Sequence, residues 1–300
     1  MNVCTRDRAR VLPRALRAAA GQSAAFPFEI LVVDNGSSDD TRAVVERASA
    51  EHPSIRYVHE PETGLSRARN RGAAESRAPL LAYLDDDAEP VAGWLSALRA
   101  AFAETPAAIV GGPILARFEV PPPPWLTAHL SLLSCQDLGA ERRVVDRPPY
   151  VFGANLAVRR DDLARLGGFD PSLGRLGRRL LQDEDTDLCE RVLADGRSIV
   201  YEPRAGVLHW IPPERVTREY LRRRAFDTGR SVGHRLRRHR SGLGLAAEVA
   251  AKVAKLPAHA LLWAAASVVS RRDVAVAHER SVLTTLGILA ELAGHEGGRA

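Results

Sequence analysis

The chain is predicted to be an α/β protein, with a mostly parallel sheet in residues 1–210 and a helical appendage in residues 211–300. Three observations predict it. Short apolar runs alternate with helical patterns over the first two-thirds of the chain. Two of those runs stop at carboxylates, Asp34 in one case and Asp85, Asp86 and Asp87 in the other. At Pro212 and Pro213 the text turns basic and helical.

The elements follow in order. Residues 29–33 (EILVV) form a strand-like run that stops at Asp34-Asn35-Gly36, a turn signal. Asp39 and Asp40 precede a helical stretch through Ala50, as N-capping residues do. Residues 55–58 read as the next strand and 65–76 as a helix with Ala, Arg and Glu in good positions. The run LLAYL at 80–84 is a buried strand that leads straight into the three aspartates. A helix over 91–103 and a strand over 109–115 follow. The prolines at 121–124 mark a stiff loop. Beyond them, 152–158 and 198–201 read as strands, with helices at 161–166 and 184–194 between. From Pro213 the pattern is helical over 215–238, 245–255 and 274–292. No internal repeat is present.

Composition bounds the class. An apolar fraction of 45% allows a full core. The opening residues are polar and carry Arg6, Arg8 and Arg10, unlike a signal peptide. The longest nearly uncharged stretch, 256–270, is ~15 residues, short of the ~20 a spanning helix needs. Cys4, Cys135 and Cys189 lie far apart in no C-x-x-C spacing, which suits a reducing cytoplasm. The net charge of +5 divides unevenly, −3 over 1–210 and +8 over 211–300. The basic character therefore belongs to the appendage. The acidic first two-thirds and an aromatic content of 5% argue against nucleic acid as a partner.

Open parallel sheets bind ligands at the carboxyl ends of their strands. Three adjacent carboxylates at such an end repel one another unless a cation or hydrogen bonds compensate. A hard divalent ion with oxygen ligands is the simplest compensation, and a diphosphate completes its shell. The plainer alternative is an acidic loop capping the helix that begins near Val91.

The neighbouring strings narrow the choice. VVDNGSSDDT, PETGLSRARNRG and LLAYLDDDAEP occur in this order, followed by GANLAVRRDDLARLGGFD, EDTDLCERV and VYEPRAGVLHW. Together they resemble a family-2 glycosyltransferase with the GT-A fold, a Rossmann-like mixed sheet that binds nucleoside-diphosphate sugars. The resemblance covers roughly the first two-thirds of the chain. It implies transfer of a sugar from a nucleoside-diphosphate sugar to an acceptor hydroxyl with inversion, in polysaccharide or glycoconjugate biosynthesis. It implies that Thr5, Arg6 and Asp34 line the nucleotide pocket and that Arg67 or Arg69 contacts the pyrophosphate. Asp85 and Asp87 become the D-x-D pair holding Mn²⁺ or Mg²⁺, with His209 completing the metal shell and Asp86 touching the ribose. Of the acidic pair Glu184 and Asp185, Asp185 is the general base, and Asn155 shapes the acceptor side. The sequence departs from the family pattern twice. Only Met1, Asn2 and Val3 precede Cys4, so the first strand is short, and Asn35 stands where many relatives have a second Asp.

In the appendage, Arg222, Arg223, Arg224, Arg230, Arg235, Arg237 and Arg238 precede apolar helices containing Leu261, Leu262 and Trp263. Basic helices followed by apolar faces suit an anionic membrane surface, where a lipid-linked acceptor would be met. The expectation is a cytoplasmic protein, peripheral on the inner face of the membrane. A sugar or small-molecule acceptor, and a packing role for the helices, are the alternatives. A nucleotidyltransferase of related fold would be expected to carry a Gly-rich, Lys-containing phosphate loop near the N-terminus, which is absent. A non-catalytic nucleotide-sugar-binding protein is the remaining rival.

Overall fold

The computed structural model describes residues 1–175, 183–269 and 271–294, so residue 270 and the last six residues of the predicted appendage lie outside the described residues. The chain forms two compact units. One contains Met1–Arg117, residues 134–175 and Glu184–Trp210; the other contains Phe118–Leu133 and the chain from Ile211 onward.

The first unit begins with β1 (Asn2–Thr5), α1 (Leu12–Ala20), β2 (Ile30–Asp34), α2 (Thr41–Glu51), β3 (Ile55–His59), α3 (Leu65–Glu75) and β4 (Leu80–Asp85). It continues with β5 (Ala88–Pro90), α4 (Trp94–Glu104), β6 (Ala107–Gly111), β7 (Ile114–Phe118) and β8 (Arg143–Val144). It closes with β9 (Asn155–Arg159), α5 (Arg160–Arg165), α6 (Glu184–Ala194), β10 (Ser198–Tyr201) and β11 (Val207–Ile211). Leu12, Ala15, Leu16 and Ala19 recur at helical spacing and are all buried, which gives α1 its packing face. The strand read over 109–115 is two strands, because Gly112-Pro113 breaks the run between β6 and β7. At the start of α2 it is Asp39, two residues ahead, whose carboxylate accepts from the Thr41 N–H at 3.0 Å; Asp40 makes no such bond.

Eight strands form one sheet in the order β3-β2-β1-β4-β9-β6-β10-β8. β1, β2, β3 and β4 run parallel, and β6 and β10 run parallel to each other. Between these two groups lies β9, antiparallel to both β4 and β6, so the sheet is mixed rather than uniformly parallel. Ile30 to Asp34 and Ala107 to Gly111 are buried along their whole length, as strands covered on both faces must be. Two apolar clusters cover the faces. One gathers Leu16, Val32, Leu84, Trp94 and Phe102; the other gathers Leu81, Tyr83, Phe169, Leu188 and Tyr201. A second, three-stranded sheet has the order β5-β11-β7.

The second unit is helical. It holds 3₁₀ turns at Pro124–Leu133 and Pro213–Val216, then α7 (Arg218–His239), α8 (Gly242–Val253), α9 (Leu256–Val268) and α10 (Arg272–Ala293). Thr217 caps α7 by accepting from the Tyr220 N–H at 3.2 Å. α7 and α10 approach so closely that a Cβ built on Gly229 would lie 2.0 Å from the Thr284 carbonyl oxygen. Arg218 and Arg222 pair with Glu279 at 2.9 and 2.6 Å, and Arg230 pairs with Glu291 at 3.0 Å. Part of the basic charge of α7 is therefore balanced by acids buried on α10, a pairing 57 to 61 residues apart that the local charge pattern does not reveal. No helix among the described residues is long and apolar enough to cross a membrane.

Candidate active site

Sheet register assembles the site. β1 lies between β2 and β4, with Thr5 opposite Asp34 and Cys4 opposite Asp85. The ends of three parallel strands thus meet at one edge, where an open α/β sheet takes its ligand. The small sheet adds a fourth contributor. β11 pairs antiparallel with β5, His209 stands opposite Ala88, and the Trp210 N–H donates to the Asp87 carbonyl at 2.8 Å. His209 Nε2 consequently lies 3.1 Å from Asp87 Oδ1, although 122 residues separate the two in sequence.

Each of the three carboxylates has a cationic neighbour. Arg69 lies 3.7 Å from Asp85, Arg8 lies 3.7 Å from Asp86 and 3.5 Å from Asp87, and His209 adds to the last. Asp86 points inward and accepts from Thr5 Oγ1 at 2.8 Å. Burial raises its pKa to about 6, against the lowering pull of Arg8. Burial alone would lower the His209 pKa, yet the Asp87 carboxylate, its hydrogen bond and a further bond with Cys135 raise it to about 10. The protein itself thus offsets much of the mutual repulsion of the cluster.

A second polar group sits beside the first. The Arg69 side chain, 3% exposed, donates to Glu184 Oε1 at 2.8 Å while reaching Asp85. Burial pushes the Glu184 carboxyl up to about 7 in spite of Arg69. Gly153 makes this approach feasible, because a Cβ there would lie 2.4 Å from an Arg69 nitrogen. The Gly153 N–H donates to Asp185 Oδ2 at 2.7 Å, and the Thr186 N–H donates to Oδ1 at 2.7 Å. Asp185 is therefore held in one orientation at the N-terminal end of α6, where the helix favours negative charge.

The remaining predicted residues and Asn35 are held as follows. Asp34 is buried and accepts from Tyr57 Oη at 2.9 Å and from the Ser37 N–H at 2.9 Å. Asn35 staples the following loop by donating to the Glu60 and Glu62 carbonyls and accepting from the Gly64 N–H. Arg6 is exposed and donates to Thr63 Oγ1, and Arg67, partly buried, pairs with Glu62. Asn155 lies inside the fold. It is fully buried, accepts from Trp94 Nε1 at 2.8 Å, and donates to the carbonyls of Pro113 and Ala205. Both amide hydrogens thus tie Asn155 to the loops that follow β6 and β10, and its oxygen holds the indole of α4. Arg8 escapes the sequence reading; its position in the turn ahead of α1 is the available signal, since such a turn follows the end of β1.

Among the described residues, no three His, Cys, Asp or Glu side chains converge into a ready-made metal cage. Asp87 and His209 stand together and Asp85 is engaged with Arg69. Two carboxylates and an imidazole are a donor set that fits Mn²⁺ or Mg²⁺, provided a diphosphate supplies the remaining oxygens.

Comparison with known proteins bears on family and fold. The model of glycosyl transferase family 2 matches residues 2–167. The chain is 32% identical to the succinoglycan biosynthesis protein ExoM of Rhizobium meliloti over 259 residues, covering 85% of this chain and 80% of that protein. It is 30% identical to the pre-mycofactocin glycosyltransferase of Mycobacterium tuberculosis over 206 residues, which span 67% of this chain but 41% of that protein. Among solved structures, the mannosyltransferase PcManGT of Pyrobaculum calidifontis, in complex with GDP-Man and Mn²⁺, superposes with a TM-score of 0.68 at 20% identity. That match covers 97% of this chain and 86% of that one. Residues 1–349 of S. aureus TarS give 0.54 at 16% identity, covering 99% and 91%. At these identities the likeness is one of fold: a GT-A core with a C-terminal helical extension.

Proposed function

The chain belongs to glycosyl transferase family 2 and transfers a sugar from a nucleoside-diphosphate sugar to an acceptor, and we propose that it does so with inversion, using a divalent cation held by Asp85, Asp87 and His209 and Asp185 as the base. The observation that carries this reading is the 3.1 Å approach of His209 to Asp87 at the end of β4. It brings an imidazole to a strand end that already carries three carboxylates.

The barrier in such a transfer lies largely in charge growing on the departing diphosphate. A divalent cation supplies Lewis-acid neutralisation of that charge. The residues of the chain do the rest. Arg8, beside Asp86 and Asp87, offers a guanidinium whose planar fork suits phosphate oxygens. Asp34, opposite Thr5 across the β1–β2 pair, would reach the base or ribose. Asp185, fixed by two backbone N–H groups, accepts the proton of the acceptor hydroxyl as it attacks, help worth ~10²–10⁴-fold. Glu184, tied to Arg69, is a positioning residue. The kinship with a succinoglycan biosynthesis protein supports a sugar acceptor in polysaccharide or glycoconjugate assembly.

The test is thermal stability against a panel of nucleoside diphosphates, with and without Mn²⁺, followed by turnover assays. A diphosphate at 100 times its dissociation constant adds ~2.7 kcal/mol. We expect a metal-dependent upshift with one base that Asp87→Asn abolishes. Asp185→Asn should retain the upshift and lose turnover. No shift with any nucleotide would remove the donor-site reading, and full turnover by Asp185→Asn would remove the base.

A further inference from the structure

We propose that the α8–α9 segment, rather than the arginine-rich α7, is a surface that docks on an anionic lipid bilayer. The distribution of exposed apolar side chains carries this. Of the nine large apolar side chains exposed among the described residues, six lie here: Leu243, Val253, Leu261, Leu262, Val268 and Val269. α8 buries no residue at all, and α9 buries Ala266 alone. Leu261 and Val268 on α9 lie seven residues apart, as do Leu262 and Val269, the residue that ends the helix, so the four form one stripe along it. Leu261 is 72% exposed and Val268 85%. Such a concentration of apolar surface marks an interaction site.

Charge selects the partner. Residues 256–269 contain no Asp, Glu, Lys or Arg, and cations bracket them: Lys252 and Lys255 ahead, Arg271 and Arg272 behind. Lys252 and Lys255 are the only lysines of the chain. Long cationic side chains at the rims of an apolar face keep their charge at the headgroups while their stems lie along the acyl boundary. Between Arg240 and Arg272 the single acid is Glu248, which has Arg240 within 3.8 Å. Asp273, just beyond, lies 3.7 Å from Arg271 at an exposed position, so the rim keeps a positive balance. An apolar stripe with such a rim is complementary to anionic headgroups over a hydrocarbon layer. A neutral protein groove would not need the rim. α7 fits this role less well, because Arg218, Arg222 and Arg230 are paired with α10 and Arg224 is buried against the Leu132 carbonyl. This inference does not depend on the donor site, and its test can fail independently.

The test is flotation of the full chain with vesicles of phosphatidylcholine alone or with about 30% phosphatidylglycerol, a composition of roughly physiological surface potential. Binding should be confined to the anionic vesicles and fall with added salt. Lys252→Glu/Lys255→Glu should weaken it at least about tenfold, since each basic residue near the surface contributes on the order of 1 kcal/mol. Leu261→Asp/Leu262→Asp, at exposed positions that leave folding intact, should abolish it. An Arg222→Gln/Arg223→Gln protein should bind nearly as the parent does. Absence of flotation on anionic vesicles at low salt would overturn the proposal. So would a stripe that instead joins two copies of the chain, seen as a dimer that Leu261→Asp/Leu262→Asp converts to monomer without any vesicle binding.

Discussion

The guanidinium of Arg69 donates to Glu184 at 2.8 Å inside the first unit, joining α3 to the N-terminus of α6. Both side chains are almost wholly buried, and the same guanidinium lies 3.7 Å from Asp85. Removing it leaves two carboxylates facing each other without their cation. Arg69→Met should therefore cost ~3–5 kcal/mol, the usual penalty for breaking a buried pair. Arg69→Lys keeps the charge but loses the fork and should recover only part. Adding Glu184→Gln to Arg69→Met should restore stability relative to Arg69→Met alone, because the stranded carboxylate is gone. Urea unfolding of the parent, the two single variants and the double variant reads this cycle, and additive losses would show that the two residues are not coupled.

Asn155 offers a contrasting case, a buried polar side chain with a scaffold task. Its Oδ1 takes the Trp94 indole N–H and its Nδ2 feeds two carbonyls. Asn155→Ala strands all three partners, each at ~1–3 kcal/mol, so a loss of at least about 3 kcal/mol is expected. Asn155→Asp keeps the bond from Trp94 but turns an acceptor towards two carbonyls, and should be as damaging. Diphosphate affinity measured at low temperature on the folded fraction should stay at the parent value. A large drop in affinity with unchanged unfolding temperature would return Asn155 to the ligand pocket.

How much of this was legible in the sequence depended on whether the deciding contacts were local. The apolar runs ending at Asp34 and Asp85 announced two strands of the sheet and the edge where they meet. Periodicity says nothing of strand direction, so β9 entered antiparallel between β4 and β6 without warning. The strand Ala88–Pro90 is too short to carry a pattern, yet its pairing with β11 is what brings His209 beside Asp87. Arg6 and Arg8 are alike as letters, and only the turn after β1 separates the exposed one from the one that reaches the aspartates. The charge on α7 looked free because Glu279 and Glu291 lie far along the chain.

The second unit has its own weak point at the crossing of α7 and α10. A Cβ on Gly287 would lie 2.1 Å from the Phe226 carbonyl oxygen and 3.0 Å from the Arg230 nitrogen, both backbone atoms that cannot swing aside. Gly287→Ala should cost about 3 kcal/mol, the upper part of the range for overpacking. Gly244 in α8 has nothing within 4 Å of the place a methyl group would take, so Gly244→Ala should stabilise by ~0.5–1 kcal/mol. Opposite signs from the same substitution, read by thermal unfolding, would establish the crossing as the reason for glycine. Equal effects would deny it.

Glu202 provides a pH dependence away from the aspartate cluster. Its side chain is buried, and burial alone would raise its pKa, but hydrogen bonds from Arg204 at 2.7 Å and Arg142 at 2.7 Å hold it below the usual carboxylate range. A depressed pKa means that the unfolded chain takes up this proton first as pH falls. The pairing therefore contributes its full stability above the unfolded value of about 4.3 and loses it as pH drops through the lower folded value. Both arginines are partly exposed, so solvent screens the pairs and the contribution at neutral pH should be only about 1–2 kcal/mol. Glu202→Gln should lower stability by that amount at pH 7 and converge with the parent only once the pH has fallen below the depressed folded value. Urea unfolding at a series of pH values decides the matter. A difference that persisted unchanged into acid would mean that packing of the side chain, and not its charge, is what position 202 contributes.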